Sequence, residues 1–275
     1  MAEHGARPGV VYLVGAGPGA ADLITVRGLR ILRSADAVLY DALLAPDLLH
    51  EAKPGAERVA VGKRGYCVGS TRQEAIHEAL VRLAREGKSV CRLKGGDPCV
   101  FGRGGEEAEA LAGAGVPFEI VPGVTAAIGA CAAALIPLTH REDGQSVTLV
   151  TGHHDPDSPE GALDWAALAR LPGIAFYMAV RHVTGIARQL VGHGMTADTP
   201  AAVIESGTLP GQRVIEGPLD RIGRLADEAG VRAPAVLVVG NVVRRRARLL
   251  APAHSFRESG HHENLDRPPV VFTTP

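Results

Sequence analysis

Short apolar runs alternate with amphipathic helical segments along most of this chain, and this alternation restricts the fold more than any other feature. Such alternation predicts an α/β protein whose strands are largely parallel. In the first half we predict strands at residues 10–14, 37–40, 58–61, 89–93 and 118–121. We predict helices at residues 25–33, 72–85 and 106–114, and a further helix that begins near Thr125.

The second half follows a charged, glycine-containing segment, HREDGQ, at residues 140–145, which is typical of a linker. Further strands are predicted at residues 146–150, 174–177, 201–205, 212–216 and 235–239. The strand at 212–216 follows its predecessor after only a short turn, which indicates a hairpin and hence some antiparallel pairing. We therefore expect two α/β domains, residues 1–140 and 141–250, with a ligand cleft between them. Residues 251–275 are rich in proline, histidine and charge without periodicity, and we expect a disordered tail there.

Composition excludes several classes of protein. The formal charge of −1 argues against a general nucleic-acid binder. The chain opens on a polar segment and contains no apolar run of about 20 residues, so we expect neither a secretory signal nor a membrane span. The four cysteines form no CxxC pair, which favours reduced thiols in a cytoplasmic protein. Of these, Cys91 and Cys131 lie in apolar runs and are expected in the core.

The stretch RLKGGDPCVFGRGGEE at residues 92–107 is the strongest candidate for a ligand site. Gly95 and Gly96 allow the backbone to approach a ligand without a Cβ in the way. Asp97, which follows them, can accept hydrogen bonds from a hydroxyl or ammonium group. The alternative is a tight turn from strand to helix, with Glu106 and Glu107 favouring the helix N-terminus.

Gly15 to Ala20 reads GAGPGA and fits the dinucleotide-binding pattern G-x-G-x-x-(G/A). Asp41 lies about where that fold places its ribose-binding carboxylate, so a nicotinamide-dependent oxidoreductase is a rival interpretation. In that fold the helix begins inside the glycine motif. Here the helical pattern begins only near Thr25, which weakens the rival.

Asp41 also stands where a strand ends, at the edge of an open α/β sheet that normally faces the ligand. A carboxylate at that position is a candidate general base, and the alternative is a loop hydrogen bond. Lys63 and Arg64 close the next strand at the same edge. Together with Arg103 they are candidates for a basic rim that binds a polyanionic substrate. His153 and His154 lack metal-ligand spacing, and we expect no metal site.

These segments resemble the tetrapyrrole methylase family, and within it the branch that methylates uroporphyrinogen III. The resemblance extends from about Val10 to Val243. The matching stretches are VYLVGAGPG, ADAVLYDALL, VGKRG, RLKGGDPCVFGRGGEEAEAL, VPGVTAAIGA, IPLTHRE, QSVTLVTGH, FYMAV and PAVLVVGNVV.

The resemblance implies S-adenosylmethionine as methyl donor, bound in a cleft between two α/β domains, and a homodimer. It implies methylation of uroporphyrinogen III at C2 and C7 to give precorrin-2, for cobalamin or siroheme synthesis. Asp41 matches the family's proton acceptor and Lys63 its proton donor, while we assign Arg64 and Arg103 to the substrate. The residues implied to contact the donor are Pro18, Gly95, Gly96, Asp97, Val100, Thr125, Ala126, Met178 and Gly207.

The chain departs from the family pattern at Cys99, where the family commonly has phenylalanine, and in the segment CVGSTRQ at residues 67–73. Three alternatives stay open. A methylase of the same fold could act on a later corrin intermediate or on ribosomal RNA, although the near-neutral charge argues against RNA. The nicotinamide oxidoreductase is the second, and a non-catalytic ligand sensor is the third.

Overall fold

The computed structural model describes residues 5–42, 44–62, 72–159 and 163–250. Its ten strands in these ranges are β1 Val11–Gly15, β2 Ala37–Tyr40, β3 Glu57–Ala60, β4 Val90–Lys94, β5 Phe118–Val121, β6 Thr148–Thr151, β7 Gly173–Tyr177, β8 Pro200–Glu205, β9 Arg213–Pro218 and β10 Ala235–Gly240. The helices described are α1 Val26–Ser34, α2 Pro46–His50, α3 Gln73–Arg85, α4 Gly104–Gly113, α5 Ala126–Ala133, α6 Trp165–Leu168, α7 Val183–Gly192, α8 Leu219–Glu228 and α9 Arg245–Leu250.

The first five strands form one parallel sheet in the order β3-β2-β4-β1-β5. Residues of β1 alternate between two apolar clusters, with Tyr12 and Val14 in one and Val11 and Leu13 in the other. Both faces of the central strands are therefore covered by helices, which explains why these strands read as unbroken apolar runs.

The second sheet has the order β6-β7-β10-β8-β9 and is mixed. Strands β6 and β7 are parallel, while β7, β10, β8 and β9 pair in antiparallel fashion. The predicted hairpin is confirmed: β8 pairs with β9 from Pro200 opposite Pro218 to Glu205 opposite Arg213. The α/β fold class with a partly antiparallel second half is likewise confirmed.

Helix α5 connects the two sheets. Its Ala127, Ala130 and Cys131 belong to an apolar cluster that also contains Tyr177 of β7 and Ile204 of β8. The small side chains of GVTAAIGACAAAL thus let α5 pack closely on the second sheet, although the chain reaches α5 directly from β5 of the first. Loops from both sheets consequently meet around this helix.

Predicted and observed element bounds agree closely. Strands 37–40 and 118–121 are confirmed as predicted, and the other strands shift by one or two residues. Helix α4 begins at Gly104 instead of residue 106 because the backbone N–H of Gly104 donates to Pro98 O at 2.8 Å. Throughout the ranges described, every helix is too short or too polar to cross a membrane.

Candidate active site

Three loops at the carboxyl edge of the parallel sheet meet at glycines. They follow β1, β4 and β5 and come together at Gly15, Gly96 and Gly123. An ideal Cβ on Gly123 would lie 2.3 Å from Gly96 O, and one on Gly15 would lie 2.7 Å from the same oxygen. No side chain fits at such distances, so Gly15 and Gly123 are required for the loops to pack.

The glycine motif after β1 uses its backbone amides within the protein. The N–H of Gly17 donates to Gly96 O at 3.2 Å, and the N–H of Gly96 returns a bond to Gly17 O at 2.7 Å. The N–H of Ala20 donates to Thr208 Oγ1 at 2.9 Å. Helix α1 begins only at Val26, after a separate 3-10 turn. A dinucleotide fold needs such amides and a helix N-terminus at the pyrophosphate, so the geometry disfavours the oxidoreductase.

Asp97 fixes the loop after β4. Its Oδ1 accepts from the N–H of Cys99 at 2.8 Å, and its Oδ2 accepts from the N–H of Gly123 at 3.0 Å. A carboxylate oxygen can accept more than one hydrogen bond, so each retains capacity for a ligand. Asp97 therefore joins the β4 loop to the β5 loop, a role that the sequence does not reveal.

Tyr177 holds the start of α5. Its hydroxyl oxygen lies 2.8 Å from Thr125 Oγ1, and it accepts from the N–H of Ala127 at 3.0 Å. The Phe101 ring centroid lies 4.9 Å from that of Tyr177. Burial raises the pKa of Tyr177, which keeps its hydroxyl protonated. Sequence reasoning missed this residue, although it lies inside the FYMAV stretch.

Several residues around α5 have left-handed backbone conformations, which are unfavourable for residues other than glycine. They lie in loops of both sheets, and their φ angles are 54° for Phe101, 59° for Arg103, 56° for Met178, 50° for Ser206 and 70° for Thr208. Each costs on the order of 1–3 kcal/mol, and such residues cluster at functional sites. Met178 nevertheless remains 46% exposed.

The other residues implied to contact the donor also lie around α5. An ideal Cβ on Gly129 of α5 would lie 2.3 Å from Pro18 Cγ. One on Gly207 would lie 2.4 Å from Ala130 Cβ. Val100 packs against the same apolar cluster as α5. The structure thus brings the nine residues together around one helix, drawing them from the loops after β1, β4, β5, β7 and β8.

Asp41 directly follows β2, the strand beside β4. Its side chain is 29% exposed, and its Oδ1 lies 2.6 Å from Nη2 of Arg92. Gly62 lies directly against it, since an ideal Cβ there would be 2.9 Å from Asp41 Cα. Lys63 and Arg64, which come next, lie outside the described residues.

A buried charge cluster lies behind Asp41. Arg92 Nε lies 3.1 Å from Glu107 Oε1, and Lys94 Nζ lies 2.8 Å from the same oxygen. The side chains of Arg92 and Lys94 are 3% exposed and that of Glu107 is 0% exposed. Burial is the main cause that lowers the pKa of Lys94. Sequence reasoning assigned Glu107 to the helix N-terminus and missed this cluster. Charged residues within an apolar strand were the available signal.

Arg103, predicted to bind substrate, begins α4 and is paired with a neighbour. Its Nη2 lies 2.5 Å from Glu106 Oε2, and the side chain is 57% exposed. The Glu106 carboxylate raises the pKa of Arg103. Exposed pairs of this kind contribute only about 0–1 kcal/mol, so another carboxylate can compete for Arg103.

No group of three or more histidine, cysteine or acidic residues is placed to hold a metal ion within the described ranges. Cys91, Cys99 and Cys131 are free thiols. The prediction that Cys91 and Cys131 are core residues is confirmed, and burial raises the pKa of each to about 12.

The fold and this arrangement of loops define a class of protein. The model of the family Tetrapyrrole (Corrin/Porphyrin) Methylases matches residues 10–223, and the chain belongs to that family. Crystal structures of uroporphyrin-III C-methyl transferase from Thermus thermophilus are similar to most of this chain. One is 40% identical with a TM-score of 0.73, covering 86% of this chain and 99% of that one. Another, complexed with S-adenyl homocysteine, is 40% identical with a TM-score of 0.72, covering 85% and 98%.

Among curated proteins, siroheme synthase 1 of Yersinia pseudotuberculosis is 52% identical over 236 residues, which are 86% of this chain and 49% of that protein. Siroheme synthase of Thiobacillus denitrificans is 49% identical over 251 residues, or 90% of this chain and 51% of that protein. The chain therefore spans about half the length of the curated relatives it matches.

Proposed function

We propose that this chain methylates uroporphyrinogen III at C2 and C7 with S-adenosylmethionine, giving precorrin-2 by way of precorrin-1. One observation carries the proposal: β4 leads into the Gly95–Gly96 loop, and its neighbour β2 ends at Tyr40, directly before Asp41. Exposed backbone without a Cβ, at Gly95, therefore follows the strand beside the one that leads to Asp41, whose carboxylate is partly open to solvent. Membership of the family supports the same chemistry.

The residues around α5 fit the methyl donor. Gly95 is exposed, and no atom lies within 4 Å of an ideal Cβ at this position. Gly96 lies next to the start of α5, since its ideal Cβ would be 3.6 Å from Ala126 N. An adenosine with an amino-acid tail is recognised by shape and backbone groups, which such a surface supplies. When bound, S-adenosylmethionine supplies a methyl group on an electrophilic sulfonium, so the transfer needs no covalent enzyme intermediate.

In the proposed site Asp41 removes a proton. Attack by an electron-rich pyrrole carbon on the methyl group leaves a cationic ring, and this ring regains neutrality by losing a proton elsewhere. A carboxylate at the ligand-facing edge of the sheet is suited to accept that proton, typically with an effect of about 10²–10⁴-fold. Lys63 is proposed as proton donor. It follows Gly62, whose backbone lies against Asp41.

The acidic side chains of the substrate need cationic partners. Arg103 is exposed at the start of α4, where it forms a surface ion pair with Glu106. We propose that it exchanges Glu106 for a substrate carboxylate, and that Arg64 contributes a second contact. Orientation of the ring against the methyl group is worth as much as about 7–11 kcal/mol in favourable cases.

The reaction is tested by incubating the chain with uroporphyrinogen III and isotopically labelled S-adenosylmethionine, then counting methyl groups on the product by mass spectrometry. We expect two. Transfer only to a later corrin intermediate would favour a different methylase of this fold, for which the similarity to cobalt precorrin-4 methyltransferase is the relevant observation, at 31% identity and a TM-score of 0.75. No transfer to any tetrapyrrole would favour the non-catalytic sensor.

We also propose that the chain works as a homodimer in the cytoplasm, with residues 1–140 and 141–250 as its domains. The relatives named siroheme synthase favour siroheme as one destination of the product, with cobalamin as another. Light scattering on the purified chain measures the dimer directly.

A further inference from the structure

The buried cluster behind Asp41 carries alternating charges. In order they are the Asp41 carboxylate, the Arg92 guanidinium, the Glu107 carboxylate and the Lys94 ammonium, linked by contacts of 2.6, 3.1 and 2.8 Å. Arg92 uses different nitrogens for its two carboxylate partners, Nη2 for Asp41 and Nε for Glu107. Because the guanidinium is planar and rigid, a contact that holds Nε also fixes the direction of Nη2.

Stability alone does not account for this cluster. Replacing buried ion pairs by well-packed apolar side chains is often neutral or stabilising. In addition, Glu107 Oε2 is buried and has no hydrogen-bond partner among the described residues. A buried carboxylate that is only partly satisfied is costly. The cluster also contacts the one carboxylate at this edge that the proposed reaction uses.

Only Asp41 of the four is substantially accessible, at 29% exposure of its side chain. Glu107 and Lys94 are closed off from solvent and so cannot contact a substrate in this conformation. Any influence they have on the reaction must pass through Arg92 or through the electrostatic field. Lys94 and Asp41 do interact electrostatically, with Asp41 raising the pKa of Lys94 against the larger effect of burial.

We propose that Glu107 and Lys94 are positioning residues, which hold Arg92 so that it orients the Asp41 carboxylate. The inference rests on the proposed function, because it gives Asp41 the role of base. Glu107 fixes the guanidinium through Nε, and Lys94 compensates the second unit of negative charge. Asp41 then faces the cleft without rotating into the sheet.

Other charged groups surround the cluster. On α3, Gln73 Nε2 lies 3.4 Å from Glu107 Oε1 and 3.1 Å from His77 Nε2. Also on α3, Glu74 interacts with Arg103 and His77 with Glu106. At the start of α4, Arg103 interacts with Glu107 and Glu106 interacts with Lys94. Lys63 and Arg64, beyond Gly62 at the end of β3, lie outside the described residues. Because several charged groups lie around the cluster, the test must identify the contribution of Asp41 separately.

The test is the pH profile of methyl transfer to uroporphyrinogen III by the full chain, with both substrates saturating. Lys94→Met removes a cation near Asp41, which favours the protonated carboxyl, so the acidic limb should move to higher pH by about 0.5–1 unit. Glu107→Gln removes an anion, so that limb should move to lower pH. Looser positioning should also lower the plateau rate about 10–100-fold. Glu109→Gln, an exposed position on the same helix, is the matched control and should change neither.

Opposite shifts from the two variants support the inference, since a purely structural role lowers stability without moving the limb. If Glu107→Gln does not fold, the charge-balanced double variant Lys94→Met with Glu107→Gln replaces it. This variant should keep the limb near that of the wild type and retain the lowered plateau. For the two single variants, unmoved limbs or shifts in the same direction would overturn the inference. For the double variant, a limb that moves as far as that of Lys94→Met, or a plateau rate equal to that of the wild type, would overturn it.

Asp41→Asn separates this result from the proposed function. If that variant loses the acidic limb while Lys94→Met and Glu107→Gln leave it unmoved, the positioning role fails and the base survives. If the wild type transfers no methyl group, or Asp41→Asn retains the rate and the limb, the proposed function fails first.

Discussion

The hydroxyl of Tyr177 lies 2.8 Å from Oγ1 of Thr125, and this contact ties a strand of the second sheet to the first turn of α5. It brings two residues implied to contact the donor into fixed positions: Thr125 itself and Met178, which follows Tyr177. The proposed donor pocket thus depends on the Tyr177 hydroxyl.

Tyr177→Phe should therefore weaken binding of S-adenosylhomocysteine. The substitution removes the partner of Thr125 and of the Ala127 N–H, and a net loss of about 1–1.5 kcal/mol corresponds to roughly 5–13-fold in Kd. Isothermal titration calorimetry measures it. Tyr12→Phe is the control. Among the described residues the Tyr12 hydroxyl accepts from Arg7, whose backbone N–H lies 3.0 Å away, and this contact is remote from the site. An equal change in both variants would argue against a role for Tyr177 in the pocket.

Two glycines at the same edge should respond differently to alanine. A methyl group on Gly123 would lie 2.3 Å from Gly96 O, so Gly123→Ala should destabilise the fold by about 2–3 kcal/mol. Gly95 has open space around its ideal Cβ. Gly95→Ala should leave stability within about 0.5 kcal/mol yet weaken S-adenosylhomocysteine about tenfold. Denaturant unfolding and calorimetry check the pair. Unchanged affinity in Gly95→Ala would remove that residue from the pocket.

Asp41→Asn should lower the turnover rate about 10²–10⁴-fold while leaving the affinity for S-adenosylhomocysteine nearly unchanged. The reason is that the amide keeps the size of the side chain but cannot accept a proton. Asp47→Asn, on the exposed first turn of α2, provides the matched control and should behave as wild type. Equal losses of rate and donor affinity in Asp41→Asn would assign Asp41 to binding instead.

Asp36 contributes stability that depends on pH. Its Oδ1 accepts from Lys53 Nζ at 2.7 Å and its Oδ2 from Ser89 Oγ at 2.7 Å, which together lower its pKa from 3.8 to about 2. A lowered folded-state pKa gives stability that is present above the unfolded value and lost as pH falls from about 4 to 2. Because the Asp36 carboxylate is partly exposed, solvent screens its interactions, and we expect it to contribute about 1 kcal/mol to the free energy of unfolding.

Asp36→Asn should therefore lower the free energy of unfolding by about 1 kcal/mol at pH 7. It should also make stability depend less on pH between about 4 and 2. Thermal unfolding across pH measures both effects. Asp227→Asn, on the exposed surface of α8, serves as control. A profile for Asp36→Asn that runs parallel to the wild type would contradict this assignment.

Local pattern predicted the elements well because each strand is an apolar run flanked by turn residues. Strands 37–40 and 118–121 came out at the observed bounds. The contacts that organise the site are different in kind. Arg92 and Asp41 are 51 residues apart, and Thr125 and Tyr177 are 52 apart. No periodicity encodes such pairs.

The sequence motifs nevertheless pointed to residues that lie close together in the structure. Nine residues implied by the family resemblance lie around one helix, although they come from five loops. The motifs could not show which contacts a side chain makes within the protein itself. Asp97 was predicted to accept hydrogen bonds from a ligand, and the structure shows that its oxygens also accept from the backbone N–H groups of Cys99 and Gly123. From the sequence, Glu107 fits the N-terminus of a helix. Its burial against Arg92 depends on how α4 packs on β4, which the sequence pattern does not show.

The most direct measurement for the whole account is a crystal structure of the chain soaked with S-adenosylhomocysteine. We predict that the molecule lies among the Gly95–Gly96 loop, Thr125, Met178 and Gly207, with its sulfur directed toward the edge where Asp41 stands. A molecule bound at Gly15–Ala20 in the manner of a dinucleotide, or at a place remote from α5, would contradict the account.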